Sequence, residues 1–335
     1  MNKEKELIKL IASVMPKTRA QLNKLYESDS EIIRYKNNNF LFTVDEFSQE
    51  DMLAERDPNI LGWNLAVGGI SDILATGGKP LFYAHSLVIN RKWTKDYIKL
   101  FCRGVADVLK KSKISFIGGD FGKSEVWRYT VVVIGKPITK PILRTKAAVG
   151  DLIYLSGKVG TGNLEAVLTL RSDKKELKKI GKSVRNRFRL RIKEAVLINS
   201  YATSCIDTSD GVFNALNTLA EMSNKGYATK NLPYIRSGLR VTKLLAIPKT
   251  ILFLGECGEY ELLFTIKKED ENKFLFQARK QNLRFFKIGQ ITKPGIKTLS
   301  EDHRRIDLNG FNIRARSYQE INVYLNKLVN FLKRL

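Results

Sequence analysis

Apolar residues at Leu7, Ile8, Ile11 and Val14, and again at Leu22 and Leu25, recur at helical spacing between Glu4 and Glu27. Pro16 interrupts them, so the chain opens on what reads as a broken amphipathic helix. "NFLFTVDEF" then reads as a strand, "PNILGWNLAVGGISDILATGG" as a helix stopping at Gly77 and Gly78, and "PLFYAHSLVI" as a second strand. "KDYIKLFCRGVADVLKKS" is helical, "ISFIGG" predicts a short strand and "VWRYTVVVIGKPI" a long one.

The stretch "TKPILRTKAAVGD", with Pro137 just before it, Pro141 within it and Gly150 at its end, breaks this rhythm, and a strand "LIYLSG" follows. A domain boundary is placed there, giving residues 1–140 and 141–335. The second part repeats the alternation: helix "NLEAVLTL", a very basic helix, the turn "CIDTSDG", helix "VFNALNTLAEMSN", strand "YELLFTI", helix "NKFLFQARKQ" and strand "FFKIGQIT". The expected class is α+β in two domains.

Size and composition agree: 335 residues, 43% of them apolar, can fill two cores. The net charge of +24 points to an anionic partner such as nucleotide, phosphate or nucleic acid. No stretch approaches the roughly 20 apolar residues of a membrane span, and "MNKEKELIKLIASVMPKTR" lacks the apolar core of a signal peptide, so a cytoplasmic protein is expected. Cys102, Cys205 and Cys257 are odd in number and widely spaced, which disfavours a disulfide framework or a cysteine zinc site.

Four carboxylates stand at the ends of predicted elements: Asp45 in "FTVDEF", Asp72 in "GGISDILATGG", Asp120 in "FIGGDFG" and Asp210 in "CIDTSDG". Asp72 sits among Ile70, Ile73 and Leu74, and a buried aspartate must be hydrogen-bonded, paired or metal-bound. Two carboxylates about 5 Å apart repel by roughly 3 kcal/mol at an effective dielectric near 20, so a cluster needs cations. Magnesium takes oxygen ligands and bridges to phosphates, which makes a carboxylate cluster and a nucleotide self-consistent. Gly118 and Gly119 would let a backbone come close to such a ligand. Taken singly, each aspartate reads first as a turn former or helix cap, and it is their recurrence that favours the cluster.

"SGKVGTGNLEAVL" follows a strand and opens a helix, but it fits neither a P-loop nor a dinucleotide fingerprint, because Glu165 stands where the third glycine belongs. The run from Arg171 to Lys193 is the most basic of the chain and reads either as a nucleic-acid backbone contact or as a solvated face.

Taken in order, "FTVDEF", "NLAVGGISDILATGGKP", "FIGGDFG", "RTKAAVGDLIYLSG", "CIDTSDGVFNAL" and "GEYELLFT" resemble the thiamine-monophosphate kinase family of the aminoimidazole ribonucleotide synthetase superfamily, over roughly residues 29 to 295. The resemblance implies a homodimer pairing through the N-terminal halves, with ATP and Mg2+ held in a cleft between the halves and a small phosphorylated metabolite as acceptor. Carried over by motif, Asp45, Asp72, Asp120 and Asp210 would bind magnesium, with Asp120 and Asp210 at the chemistry. Gly118, Gly119, Arg144 and Ser209 would meet the nucleotide.

The family's Gly-Asp-Asp, which supplies two magnesium ligands, becomes "SDSE": Asp29 would be the first of these ligands, Ser30 replaces the second acid, and Glu31 could substitute by a shift of one. Met52 stands at a family histidine, Asn64 and Gly69 at a lysine and an asparagine, and Glu259 at an aspartate. These departures leave two alternatives: a divergent superfamily member that uses ATP to activate another small molecule, or a degenerate, non-catalytic binding protein.

Overall fold

The computed structural model describes residues 3–48, 57–170, 187–318 and 320–334. Helix α1 (Lys3–Val14) takes the first part of the predicted broken helix, and after Val14 the chain turns instead of resuming it. Strands β1 (Glu31–Tyr35) and β2 (Asn38–Ser48) form a hairpin. Helix α2 (Pro58–Ala75) starts where Asp57 accepts from the main-chain N–H groups of Asn59 and Ile60, with Pro58 in the first turn. It ends as Gly77 turns into the left-handed region at φ 74°.

Strand β3 (Gly78–Asn90) leads to α3 (Lys95–Ser112), capped by the Thr94 hydroxyl and closed by a left-handed Lys113. β4 (Ser115–Ser124) runs well past the predicted "ISFIGG", carrying Asp120 inside it, and β5 (Arg128–Pro137) follows. The first sheet has the order β1-β2-β5-β3-β4, with β3 and β4 parallel.

In the second part come β6 (Leu152–Leu155), α4 (Thr161–Leu170), α5 (Ile192–Tyr201), β7 (Ala202–Asp207) and α6 (Val212–Met222). They are followed by β8 (Gly226–Lys230), α7 (Arg236–Leu244), α8 (Ile251–Leu254), β9 (Leu262–Ile266) and α9 (Glu271–Lys280). β10 (Phe286–Thr292), β11 (Lys297–Glu301), β12 (Arg304–Asp307) and α10 (Ile321–Leu332) complete it. The second sheet has the order β12-β11-β8-β10-β6-β9-β7. Of the predicted basic helix, residues 171–186 lie outside the described residues. Arg187 to Arg191 have no regular structure, and α5 begins only at Ile192.

Helix α2 is the hinge of the packing. It is buried continuously from Leu61 to Ser71, because the first sheet covers one side and the second part of the chain the other. The apolar cluster around it therefore includes Leu152, Tyr154, Phe264 and Phe274 as well as Val131 and Val133. On the first sheet, Val131 of β5 lies under Gly69 of α2, and its ladder partners Asp45 and His85 share that face. The alternate residues look away from α2, and there Val44 (51%) and Phe82 (41%) are exposed.

Helices α2 and α3 cross at two glycines. A β-carbon on Gly62 would stand 2.0 Å from the Phe101 carbonyl oxygen, and one on Gly104 2.0 Å from that of Asn59. Both obstacles are main-chain atoms inside helices, so the crossing must widen to admit a methyl. The variant Gly104→Ala is expected to lose about 1–3 kcal/mol of stability, read as a lowered urea midpoint at unchanged m-value.

Candidate functional site

Three carboxylates from separate parts of the chain meet where α2 abuts the second sheet. Asp29 precedes β1, Asp72 is in the last turn of α2 and Asp207 is the last residue of β7; one oxygen of each lies within 4.8 Å of the others. The main chain around Asp29 is fixed from two sides, Ser30 N–H donating to the Thr76 hydroxyl (2.9 Å) and Arg144 N–H to the Glu27 carbonyl (2.8 Å). The Thr43 hydroxyl of β2 donates to Asp72 Oδ2 at 2.6 Å. Ser71 donates to Asp207 Oδ2, tying α2 to β7, and Ser209 donates its hydroxyl to Asp207 Oδ1 at 2.8 Å. Asp45, two residues beyond Thr43 on the same face of β2, borders the group.

The electrostatics are those of a cluster short of positive charge. Burial raises the pKa of Asp29, Asp72 and Asp207. For Asp72 the charges of Asp45, Asp207 and Asp29 raise it further, while Arg144 pulls Asp29 back. Burial, then repulsion from Asp207 and Asp29, pushes Asp45 up to about 7. The one guanidinium paired into the cluster, among the described residues, is Arg144 on Asp29. Burial disfavours its charge, yet the pair with Asp29 carries its pKa above the usual guanidinium value.

Among the described residues, Asp29 Oδ2 and Arg144 Nε are buried without a hydrogen-bond partner. At about 5 Å each carboxylate pair repels by roughly 3 kcal/mol at an effective dielectric near 20. An all-oxygen donor set with an orphaned carboxylate oxygen fits a hard divalent cation such as magnesium.

Several residues singled out in the sequence lie elsewhere. Asp210 is exposed on the turn after β7, and it is Asp207, three residues earlier, that joins the cluster. Ser209 is exposed at its residue level but touches the site through Asp207. Asp120 is exposed on β4; its ladder partner Ser86 pairs with Thr130, on the sheet face opposite Asp45. Within one chain Asp120 does not converge with the other carboxylates.

Gly118 has φ 119° and open space around it, whereas a β-carbon on Gly119 would stand 1.9 Å from the His85 carbonyl oxygen, so Gly119 serves the packing of β4 on β3. Arg144 is largely buried and engaged by Asp29. Asn64 Oδ1 accepts from Phe188 N–H at 2.9 Å. Glu259 is buried, its Oε1 accepting from Gly160 N–H (2.5 Å) at the start of α4. Met52 lies outside the described residues. Cys205 is buried, Cys257 half-buried and Cys102 exposed.

A carboxyl held protonated by the fold makes the folded chain bind protons that the unfolded chain has already lost. With Asp45 folded near 7 and its ordinary value near 3.8, stability should fall as pH rises between those values. Thermal unfolding in a chelator, followed from pH 4 to pH 8, is expected to show this decline. Magnesium should restore stability at the upper end, and Asp45→Asn should flatten the decline.

The comparisons with known proteins agree in order and extent. The family model described as AIR synthase related protein, N-terminal domain, matches residues 27–136, and the corresponding C-terminal domain model matches residues 148–300. A thiamine-monophosphate kinase from Pyrococcus abyssi is 29% identical over 248 residues, 72% of this chain and 76% of that protein. One from Nitrosopumilus maritimus is 25% identical over 309 residues, 91% and 96% of the two chains.

Among solved structures, AaThiL complexed with AMPPCP and TMP superposes with a TM-score of 0.74 at 26% identity, covering 90% of this chain and 94% of that one. E. coli HypE, a hydrogenase maturation protein, shares the fold with a TM-score of 0.67 at 14% identity, covering 92% and 98%. With both domain models matched in sequence order across most of its length, the chain belongs to the AIR synthase related protein family.

Proposed function

We propose that the chain is an ATP-dependent kinase acting on a small phosphorylated metabolite, with thiamine monophosphate as the acceptor and magnesium held by Asp29, Asp45, Asp72 and Asp207. The observation that carries this reading is the convergence of Asp29, Asp72 and Asp207 within 4.8 Å of one another at the junction of the two sheets. It is supported by the kinase relatives and by the AMPPCP and TMP bound to AaThiL.

Phosphoryl transfer asks a protein mainly for positioning and charge. Magnesium, when bound, supplies charge neutralisation at the transferring phosphates. The chain's own residues set the rest. Thr43 fixes the rotamer of Asp72, Ser71 and Ser209 fix both oxygens of Asp207, and Arg144 holds Asp29 while limiting the cluster's negative charge. Asp210 is exposed on the turn three residues beyond Asp207.

Asp120 belongs to the same reading through a homodimer. The open face of the first sheet carries apolar rows, Phe42, Ile134 and Phe82 beside Val44, Val132 and Ala84, next to a polar row of Glu46, Thr130, Ser86 and Asp120. A second copy laid on that face would cover the apolar rows and bring Asp120 to an inter-subunit cleft.

A coupled assay of ADP release, with and without thiamine monophosphate in magnesium, tests the proposal. Acceptor-dependent release is expected, falling by about 100-fold or more in Asp72→Asn and Asp207→Asn. Release that ignores the acceptor, or survives both substitutions, overturns it.

A further inference from the structure

A bulky aromatic residue sits in a backbone conformation it normally avoids, directly beside the carboxylate cluster. Tyr260 has φ 51°, in the left-handed region where glycine or asparagine is usual and an aromatic side chain is strained. The strain is held from both sides. Glu259 donates its N–H to the Thr208 carbonyl (3.1 Å) and caps α4 with its carboxylate on Gly160 N–H (2.5 Å). Glu261 donates its N–H to the Thr208 hydroxyl (2.9 Å), and its carboxylate grips Arg191 with both oxygens at 2.6 Å while accepting from Ser156 at 2.5 Å. Strain that neighbours over-determine in this way is characteristic of functional positions.

The ring so presented belongs to an aromatic group. Its centroid is 4.6 Å from that of Phe188 and 6.4 Å from that of Phe47. Phe47 and Phe188 are buried at 5% and 4% exposure, while Tyr260 is partly exposed and forms the accessible member. The group rests on α2 at Gly68, where a β-carbon would approach the Phe47 ring to 3.0 Å and the Tyr260 ring to 3.1 Å. Asp72 follows Gly68 by four residues on the same face of α2, about 6 Å along the axis. On the other side, Thr208, which holds the Tyr260 backbone, directly follows Asp207.

We propose that Tyr260 determines acceptor specificity, its ring, backed by the buried Phe47 and Phe188, presenting a wall against which the heteroaromatic part of a phosphorylated acceptor packs while its phosphate lies at the carboxylates. This rests on the kinase reading above and deepens it. An aromatic face suits a cationic ring best, and the thiazolium of thiamine monophosphate is one. A glycine or asparagine would relieve the backbone but remove the wall.

The test compares two probes by calorimetric titration: thiamine monophosphate, and glycerol 3-phosphate, which has a phosphate but no ring. The chain should bind the first at least about 10-fold more tightly. Tyr260→Phe should keep that preference within about 2-fold. Tyr260→Leu, which fills similar space without an aromatic face, should lose about 10-fold of it while keeping its affinity for AMPPCP with magnesium. No preference in the unsubstituted chain, a preference kept by Tyr260→Leu, or a parallel loss of AMPPCP affinity each overturns the proposal.

The kinase reading is judged separately, by acceptor-dependent ADP release. Release with an unchanged acceptor KM in Tyr260→Leu keeps the kinase and sinks the wall. A Tyr260-dependent ring preference without release does the reverse.

Discussion

Mutual repulsion among carboxylates taken out of water is the constraint to which the rest of the structure answers. Asp29, Asp72 and Asp207 come from a turn, a helix and a strand that are far apart in the chain, and folding forces their oxygens within 4.8 Å of each other. Desolvation raises each pKa, so the bare cluster favours protons over charge. The local devices are all partial answers to this. One guanidinium, two serine hydroxyls and one threonine hydroxyl donate into the site, and a buried oxygen of Asp29 is still left over. A site that gathers more negative charge than it compensates holds either protons or, in the reading proposed above, a divalent cation in their place.

The same constraint explains why the two parts of the chain share a core. Asp207 reaches Asp72 only because β7 packs on α2, and the Ser71 hydroxyl closes that contact. Helix α2 is accordingly apolar on nearly every side, with Asp72 set between buried Ser71 and buried Ile73 in its last turn. Arg144 lies on the connection between the sheets, so the linker that the prolines and Gly150 mark in the sequence also delivers the counter-ion.

How far this was legible in the sequence depends on the range of the interaction that decides each feature. Elements set by local chemistry read directly: the Pro58 start and Gly77 stop of α2, and the full span of α3 from Lys95 to Ser112. Asp45 and Asp72 stood out because a carboxylate beside an apolar run needs a partner. The choice between Asp207 and Asp210 turned on where β7 ends. "CIDTSDG" holds both, and only the pairing of Asp207 with Leu262 on β9 shows that the strand carries the first of them inward. The orientation of Asp120 depended on register, including the irregularity between Tyr83 and His85, which no residue pattern announces. The role of Arg144 carried over from resemblance is contact with phosphate, whereas its side chain in this structure grips Asp29. Local motifs mark which residues matter, while pairings across the chain decide what they face.

The segment from Glu256 to Leu262 shows how far one short stretch can combine such tasks. Glu259 holds the start of α4, Glu261 holds Arg191, and both are fastened to Thr208, the neighbour of Asp207. A glutamate in place of the family's aspartate at 259 retains a carboxylate with reach enough to bond Gly160 N–H. The turn therefore keeps its anchor, and Tyr260 keeps its strained backbone. Because Thr208 fastens this turn beside Asp207, the aromatic group cannot move far without disturbing the carboxylate it adjoins. The part of the site that would read an acceptor's ring and the part that would hold its phosphate are thus set by one rigid unit, which is the arrangement in-line transfer requires.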